Sequence, residues 1–159
     1  IYKIINYNFH SIFDELTGNK KVKIKVIGER NNLPKNIINI LEGLEDRTRN
    51  NKILNLNIAF NYGTNFEILN IVKIIAEKFK KEKIKINDTT IKKNMYLGNM
   101  PDPDILIRTG GYKRLSNFLL MNLSYTELFF LKTLWPDLSK KEILKIFSKY
   151  KNINRKYGL

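Results

Sequence analysis

Segments with two different spacings of apolar residues alternate along this chain, and this alternation limits the possible folds more than any other feature. Residues 22–26 and 54–58 alternate apolar with polar side chains, as strands do. Apolar residues recur at helical spacing after Pro34 and again from Asn65 onward. Strands that alternate with helices predict the α/β class, with an open, mainly parallel sheet flanked by helices.

The remaining segments extend this pattern over one predicted domain, residues 1–159. With 43% hydrophobic residues, a chain of this length can bury a single core. The further predicted elements are a helix over 1–16, a short helix over 88–94 capped by Asp88, strands over 105–107 and 128–131, and a last helix that begins with a capping box of Ser139 and Glu142.

The third predicted strand ends in side chains suited to an anion. Arg108 follows the apolar run 105–107 directly, and two glycines after Thr109 allow the backbone to turn. Ligands of open α/β sheets bind at the carboxyl ends of strands, and guanidinium suits bidentate contact with phosphate oxygens. Arg114 and Ser116 add a second cation and a hydroxyl. Isolated arginines are mostly surface residues, but this combination predicts a diphosphate site.

Composition excludes several kinds of site. The sequence has no cysteine and a single histidine, which rules out disulfides, zinc–thiolate centres and most acid–base schemes built on imidazole. A hard cation held by oxygen ligands remains compatible with the sequence. The apolar runs are far shorter than the roughly 20 residues that span a bilayer. We therefore expect a soluble chain and leave peripheral membrane contact open.

The net charge of +14 is compatible with nucleic acid, anionic lipid or a phosphorylated substrate as partner. The lysines are scattered, and they occur together with abundant asparagine and isoleucine, as an AT-rich coding sequence would produce. Charge alone therefore does not indicate nucleic acid, although a basic nucleic-acid-binding domain remains an alternative.

Three segments of the chain resemble the signature of the cis-prenyltransferases, the family that includes undecaprenyl diphosphate synthase. Residues 108–111 read RTGG, residues 114–119 read RLSNFL, and residues 125–137 read YTELFFLKTLWPD. Residues 22–28 and 56–63 resemble two further family segments. The resemblance therefore covers nearly the whole chain.

The resemblance implies a reaction and a set of binding residues. Family members condense isopentenyl diphosphate onto an allylic diphosphate such as farnesyl diphosphate, with magnesium, and make long polyprenyl diphosphates with cis double bonds. By resemblance, Arg108, Arg114 and Ser116 bind the diphosphate of isopentenyl diphosphate, and Glu127 helps to organise magnesium. Tyr112 stands where many relatives have glutamate, which leaves the local hydrogen bonding open.

The carboxyl-terminal tail resembles the family's closing arginine-x-glycine element, which reaches toward a partner's active site. Arg155 and Gly158 match this element imperfectly, because lysine occupies the position expected for arginine. Arg155 is therefore either displaced by one residue or simply solvated.

The family commonly forms two-fold dimers through the region of residues 129–135, so we expect a homodimer. The apolar side chains of that region are either core or interface. They are Phe129, Phe130, Leu134 and Trp135. A second apolar set is expected to be core rather than to contact ligand. The family fold encloses an apolar tunnel for the growing chain, and resemblance places Leu54 near its closed end. That set is Leu54, Leu56, Ile58 and Phe60.

Two family segments, aspartate-glycine-asparagine-glycine-arginine and serine-x-glutamate-asparagine-tryptophan, do not occur in this sequence. The first supplies, in the family, an aspartate that works with magnesium. We interpret the chain as the larger, carboxyl-terminal part of such an enzyme and expect it not to catalyse by itself. A non-catalytic partner subunit that stabilises a catalytic chain is an alternative from another class.

Overall fold

The computed structural model describes residues 21–82, 84–98 and 100–155. The helix predicted over 1–16 lies outside these residues. The chain divides into two compact units, Ile1–Asn70 and Ile71–Leu159. Their union in one domain stays a prediction.

The first unit contains strand β1 (Val22–Ile27), helix α1 (Lys35–Thr48) and strand β2 (Leu54–Ala59). The strands are parallel and run in register from Val22 opposite Leu54 to Ile27 opposite Ala59. Side chains of β1, α1 and the segment between them form the core: Ile24, Val26, Leu33, Ile37, Leu41 and Leu44. The two strands and the helix predicted here are therefore confirmed.

Side chains of α1 close the outer edge of β1. The backbone N–H of Ile24 donates to Oγ1 of Thr48 at 3.0 Å, and that of Val26 donates to Oε1 of Glu45 at 2.8 Å. Thr48 is fully buried. Because an edge strand otherwise leaves such groups unpaired, α1 supplies the hydrogen bonds that a further strand would make.

Gly28 ends β1 at a position where only glycine fits. Its φ is +131°, and a Cβ there would lie 2.0 Å from the carbonyl oxygen of Phe60. The chain beyond Gly28 stays beside the end of β2, since the N–H of Glu29 donates to the carbonyl of Asn61 at 3.1 Å. The Asn61 amide donates back to the Glu29 carbonyl at 2.9 Å.

Helix α2 (Thr64–Lys81) begins in the first unit and ends in the second. The second unit continues with α3 (Asp88–Asn94), β3 (Ile105–Arg108), β4 (Glu127–Phe130), a 3₁₀ turn (Trp135–Asp137) and α4 (Lys140–Lys151). Strands β3 and β4 are parallel, with Ile105 opposite Glu127 and Arg108 opposite Phe130. The predicted parallel pairing and α/β class are thus confirmed, and the described strands form two pairs, one in each unit.

The structure differs from the sequence-based expectations at several positions. Asn87, rather than Asp88, is the N-cap of α3, because its side chain accepts from the N–H of Thr90. Leu54, expected in the core, is 56% exposed. For Trp135 the sequence left core and interface open; it is 73% exposed, so it does not belong to the core of the described chain.

The apolar face predicted for α2 is only partly buried. Ile71 and Ile75 pack with Met95 in a second core cluster, whereas Val72 and Phe79 are exposed. Within the described ranges, no helix combines the length and apolar character needed to cross a bilayer.

Candidate functional site

A pocket of about 320 Å³ lies at the carboxyl end of β3 in the second unit. Two arginines line it and no acidic residue does, so its charge suits an anion. Its lining residues are Leu106, Ile107, Arg108, Thr109, Arg114, Leu115, Ser116 and Phe118. The structure therefore brings together Arg108, Arg114 and Ser116, the three side chains that the sequence assigned to one site.

Arg108 is the last residue of β3 and holds the far side of the pocket in place. Its Nη1 donates to Oγ of Ser116 at 3.0 Å and also to the carbonyl oxygen of Arg114. Both bonds use Nη1, and a guanidinium carries five N–H donors. Arg108 can therefore organise the segment 114–116 and contact a ligand with the same side chain.

The segment that carries Ser116 has an unusual backbone. Ser116, Asn117 and Leu119 have φ values of 50°, 61° and 47°, in the left-handed region. Such conformations cost about 1 to 3 kcal/mol each for residues other than glycine. Leu119 is buried, which anchors the segment. Strain of this kind concentrates at functional sites, and here it accompanies the Ser116 hydroxyl at the pocket wall.

Tyr112 supports the second arginine. The guanidinium carbon of Arg114 lies 4.2 Å from the centroid of the Tyr112 ring, within the range of a cation–π contact. Tyr112 is exposed and does not itself line the pocket. The sequence assigned Tyr112 no role, because its one notable property there is that tyrosine replaces the glutamate of many relatives. Its contact with Arg114 depends on the path of the backbone after Gly111.

The loop between the arginines is tied to the chain beyond β4. Gly110 and Gly111 have φ values of +86° and +82°, which explains glycine at both positions. The N–H of Gly110 donates to the carbonyl of Thr133 at 2.9 Å, and that of Gly111 donates to the carbonyl of Leu131 at 2.8 Å. Residues 131–133 therefore fix the path of the loop that follows Arg108.

The predicted capping box of α4 is present and has an additional partner. Oε2 of Glu142 accepts from the backbone N–H of Ser139 at 3.0 Å, and Oγ of Ser139 accepts from the N–H of Glu142 at 3.3 Å. Oε1 of Glu142 accepts from Oγ1 of Thr133 at 2.5 Å. These hydrogen bonds, with that of Thr133 the strongest influence, lower the pKa of Glu142 to about 2.

Glu127 lies away from the arginine pair. It begins β4 opposite Ile105, whereas Arg108 ends β3 opposite Phe130. The two residues are therefore at opposite ends of the strand pair, about 10 Å apart along the strands. Glu127 does not line the pocket, and its assignment to magnesium stays a prediction.

Arg155 is bound within its own chain. Its Nη1 pairs with the carboxylate of Asp104 and donates to the hydroxyl of Tyr150 at 2.8 Å, while Nη2 donates to the carbonyl of Tyr125 at 2.9 Å. Its side chain is 19% exposed, so Arg155 is not simply solvated. Hydrogen bonds from Arg155 first, and from Tyr150, lower the pKa of Asp104. Gly158 lies outside the described residues, and the substrate-binding role of both tail residues stays a prediction.

Known proteins are similar to this chain in sequence and in fold. The prenyltransferase family model of undecaprenyl diphosphate synthases matches residues 1–158. The isoprenyl transferase of Aquifex aeolicus is 43% identical over 137 residues, covering 86% of this chain and 58% of that protein. The Micrococcus luteus protein named ditrans,polycis-undecaprenyl-diphosphate synthase ((2E,6E)-farnesyl-diphosphate specific) is 37% identical over 142 residues, covering 87% of this chain and 57% of that protein.

A crystal structure described as a probable undecaprenyl diphosphate synthase from Campylobacter jejuni has the same fold. Its TM-score is 0.88 at 30% identity, over 99% of this chain and 73% of that chain. Fold and site thus define an α/β protein with a cationic pocket at a strand end. Within that class, the chain belongs to the cis-prenyltransferases, the family of undecaprenyl diphosphate synthases. It spans about three fifths of the length of the curated relatives.

Proposed function

We propose that the protein containing this chain condenses isopentenyl diphosphate onto farnesyl diphosphate and makes a long-chain cis-polyprenyl diphosphate, a precursor of glycan lipid carriers. The observation that carries the proposal is the shared pocket of Arg108, Arg114 and Ser116 at the carboxyl end of β3. Membership of the family supports the reaction class. Farnesyl diphosphate as primer is supported by the Micrococcus luteus relative, whose name states that specificity.

In the proposed site, the two guanidinium groups bind the diphosphate of isopentenyl diphosphate. Oγ of Ser116 accepts from Arg108, so its own proton is available for a phosphate oxygen. A fixed diphosphate holds the isopentenyl double bond against C1 of the allylic substrate. The double bond attacks C1, the bond from C1 to oxygen breaks, and its electron pair leaves with pyrophosphate. Attack leaves a positive charge on C3 of the added unit; loss of a proton from its C2 to the released pyrophosphate or to water then forms the new cis double bond between C2 and C3.

Magnesium is part of the proposal for the whole protein. In the part of the chain that the structure describes, no group of three or more histidine, cysteine or acidic side chains could hold a metal ion. Magnesium is commonly held by one or two carboxylates together with substrate phosphates, and Glu127 is proposed as one such ligand. Removal of magnesium with EDTA should abolish turnover, and added magnesium should restore it.

A homodimer is also proposed. Leu134 and Trp135 are 60% and 73% exposed, and large apolar side chains on a surface are typical of interfaces. Sedimentation velocity of the full-length protein should give a dimer, and Trp135→Glu should shift it toward monomer. We also propose a cytoplasmic protein with peripheral contact at a membrane surface, of the endoplasmic reticulum or a plastid in a eukaryote, which co-sedimentation with anionic vesicles tests. Nucleic acid is not a proposed partner.

The deciding experiment is incubation of the full-length protein with labelled isopentenyl diphosphate, farnesyl diphosphate and magnesium, followed by sizing of the lipid product. We expect a ladder of long products. A non-catalytic partner subunit would give no product without a catalytic chain. A nucleic-acid-binding domain would give steeply salt-dependent binding to duplex DNA that pyrophosphate does not compete.

A further inference from the structure

We propose that Glu142 is a positioning residue for the diphosphate pocket and acts through Thr133 on the glycine loop after Arg108. Thr133 and Glu142 do not line the pocket, and the connection consists of hydrogen bonds described above. The inference rests on the proposed function, because it assumes that the pocket binds diphosphate.

The first part of the connection joins α4 to the chain after β4. Glu142 lies in the first turn of α4, and both of its carboxylate oxygens have partners. Oε2 accepts from the N–H of Ser139 at 3.0 Å and from its Oγ at 2.7 Å. Oε1 accepts from Oγ1 of Thr133 at 2.5 Å. The carboxylate therefore bridges the beginning of the helix and a residue nine positions earlier.

The second part joins Thr133 to the pocket. The carbonyl of Thr133 accepts from the N–H of Gly110 at 2.9 Å, two residues after Arg108. On the other side, the N–H of Leu131 donates to the carbonyl of Arg108 at 2.8 Å. The backbone from Arg108 to Gly110 is therefore fixed by residues 131 and 133. Thr133 makes one bond to this loop with its carbonyl and one to Glu142 with its side chain.

A helix cap alone does not explain the contact with Thr133. A capping box needs only the N-cap residue and the third residue of the helix, and Ser139 and Glu142 complete one here. The Thr133 bond is additional, and it is partly buried. The pKa of Glu142 is lowered to about 2, so the carboxylate is charged at neutral pH. Hydrogen bonds to a charged acceptor are roughly twice as strong as neutral ones.

The proposal is tested by binding of inorganic pyrophosphate to the full-length protein and by the KM for isopentenyl diphosphate. Thr133→Val keeps the shape of the side chain but removes the hydroxyl. We expect about three- to tenfold weaker pyrophosphate binding and a similar rise in that KM; this is less than the full strength of a bond to a charged acceptor, because the bond positions the loop and does not contact the ligand. The KM for farnesyl diphosphate should stay unchanged. Thr133→Ser, which restores the hydroxyl, should recover binding.

A matched control separates positioning from stability. Asn87→Ala removes the cap of α3, whose side chain accepts from Thr90, and should lower the thermal midpoint without changing pyrophosphate affinity. Wild-type affinity in Thr133→Val, or equal weakening in Asn87→Ala, overturns the proposal. Should Thr133→Val not fold, Thr133→Ala, which also removes the hydroxyl, takes its place, with the same expected weakening and the same refuting result.

Arg108→Ala distinguishes the failure of this inference from failure of the proposed function. If Arg108→Ala binds pyrophosphate as tightly as wild type, the pocket is not the diphosphate site and the function assigned to it is wrong. If Arg108→Ala binds weakly and Thr133→Val binds normally, the pocket assignment holds and only the role of Glu142 and Thr133 is refuted.

Discussion

Replacement of Arg108 by alanine should lower kcat/KM for isopentenyl diphosphate by orders of magnitude. The side chain would lose its direct contact with the diphosphate and also its bonds to Ser116 and to the Arg114 carbonyl, which hold the opposite wall. A hydrogen bond to a charged group contributes about 1.5 to 3 kcal/mol, and a bidentate contact has two. Because Arg108 is half-buried, each of the two bonds contributes near the lower end of this range. The expected loss is about 3 to 4 kcal/mol, which lowers kcat/KM about 10²- to 10³-fold.

The assay is steady-state kinetics of the full-length protein with each substrate varied in turn. Arg108→Lys keeps the charge without the planar fork and should lose only about tenfold. Arg49→Ala removes an exposed arginine that does not line the pocket and should be neutral. The KM for farnesyl diphosphate should change little in all three variants. Near-normal kcat/KM for isopentenyl diphosphate in Arg108→Ala would refute the assignment.

Three other perturbations give independent checks. Tyr112→Ala should raise the KM for isopentenyl diphosphate about two- to fivefold, because an exposed cation–π contact contributes about 0.5 to 1 kcal/mol, whereas Tyr112→Phe should not. The pKa of Glu142 is lowered from 4.5 to about 2, so the ionised carboxylate stabilises the folded protein fully above about pH 4.5, and this contribution is lost as the pH falls toward 2. The thermal midpoints of wild type and Glu142→Gln should therefore converge between pH 4.5 and 2. Thr48→Val leaves the Ile24 N–H without its acceptor and should lower the free energy of unfolding, measured in urea, by about 1 to 3 kcal/mol.

Local patterns in the sequence predicted most of the elements. The alternation in 22–26 corresponds to β1, and the capping box of Ser139 and Glu142 begins α4 as expected. These signals are local, since they depend on residues two to four positions apart. The N-cap of α3 was assigned to Asp88 rather than Asn87 because both side chains can accept from a helix N–H. Backbone angles at Asn87, which the sequence does not specify, decide between them.

Burial was less predictable than secondary structure. Leu54 and Trp135 have apolar side chains in apolar segments, yet both are exposed. Periodicity says which residues share a face, but it does not say whether another part of the protein covers that face. The same limit applies to α2, where Ile71 is buried and Val72 is exposed.

The sequence identified the candidate binding side chains, but it did not identify the residues whose hydrogen bonds hold the site in position. Arg108, Arg114 and Ser116 stand close in sequence behind a strand, so their convergence follows from one turn. The Thr133–Glu142 bond joins residues nine positions apart across a 3₁₀ turn, and no periodicity marks it. The same holds for Arg155 and Asp104, which are 51 positions apart.

The hydrogen bonds from α1 to the outer edge of β1 limit where a further strand could pair with the β1–β2 sheet. With the outward N–H groups of Ile24 and Val26 already bonded to Thr48 and Glu45, another extended segment cannot continue the ladder on that side. Within the described residues β2 pairs with β1 alone, so any strand added to this pair would lie beside β2. Association of two copies through the β1 side would first have to break both of these hydrogen bonds, which disfavours aggregation at that edge.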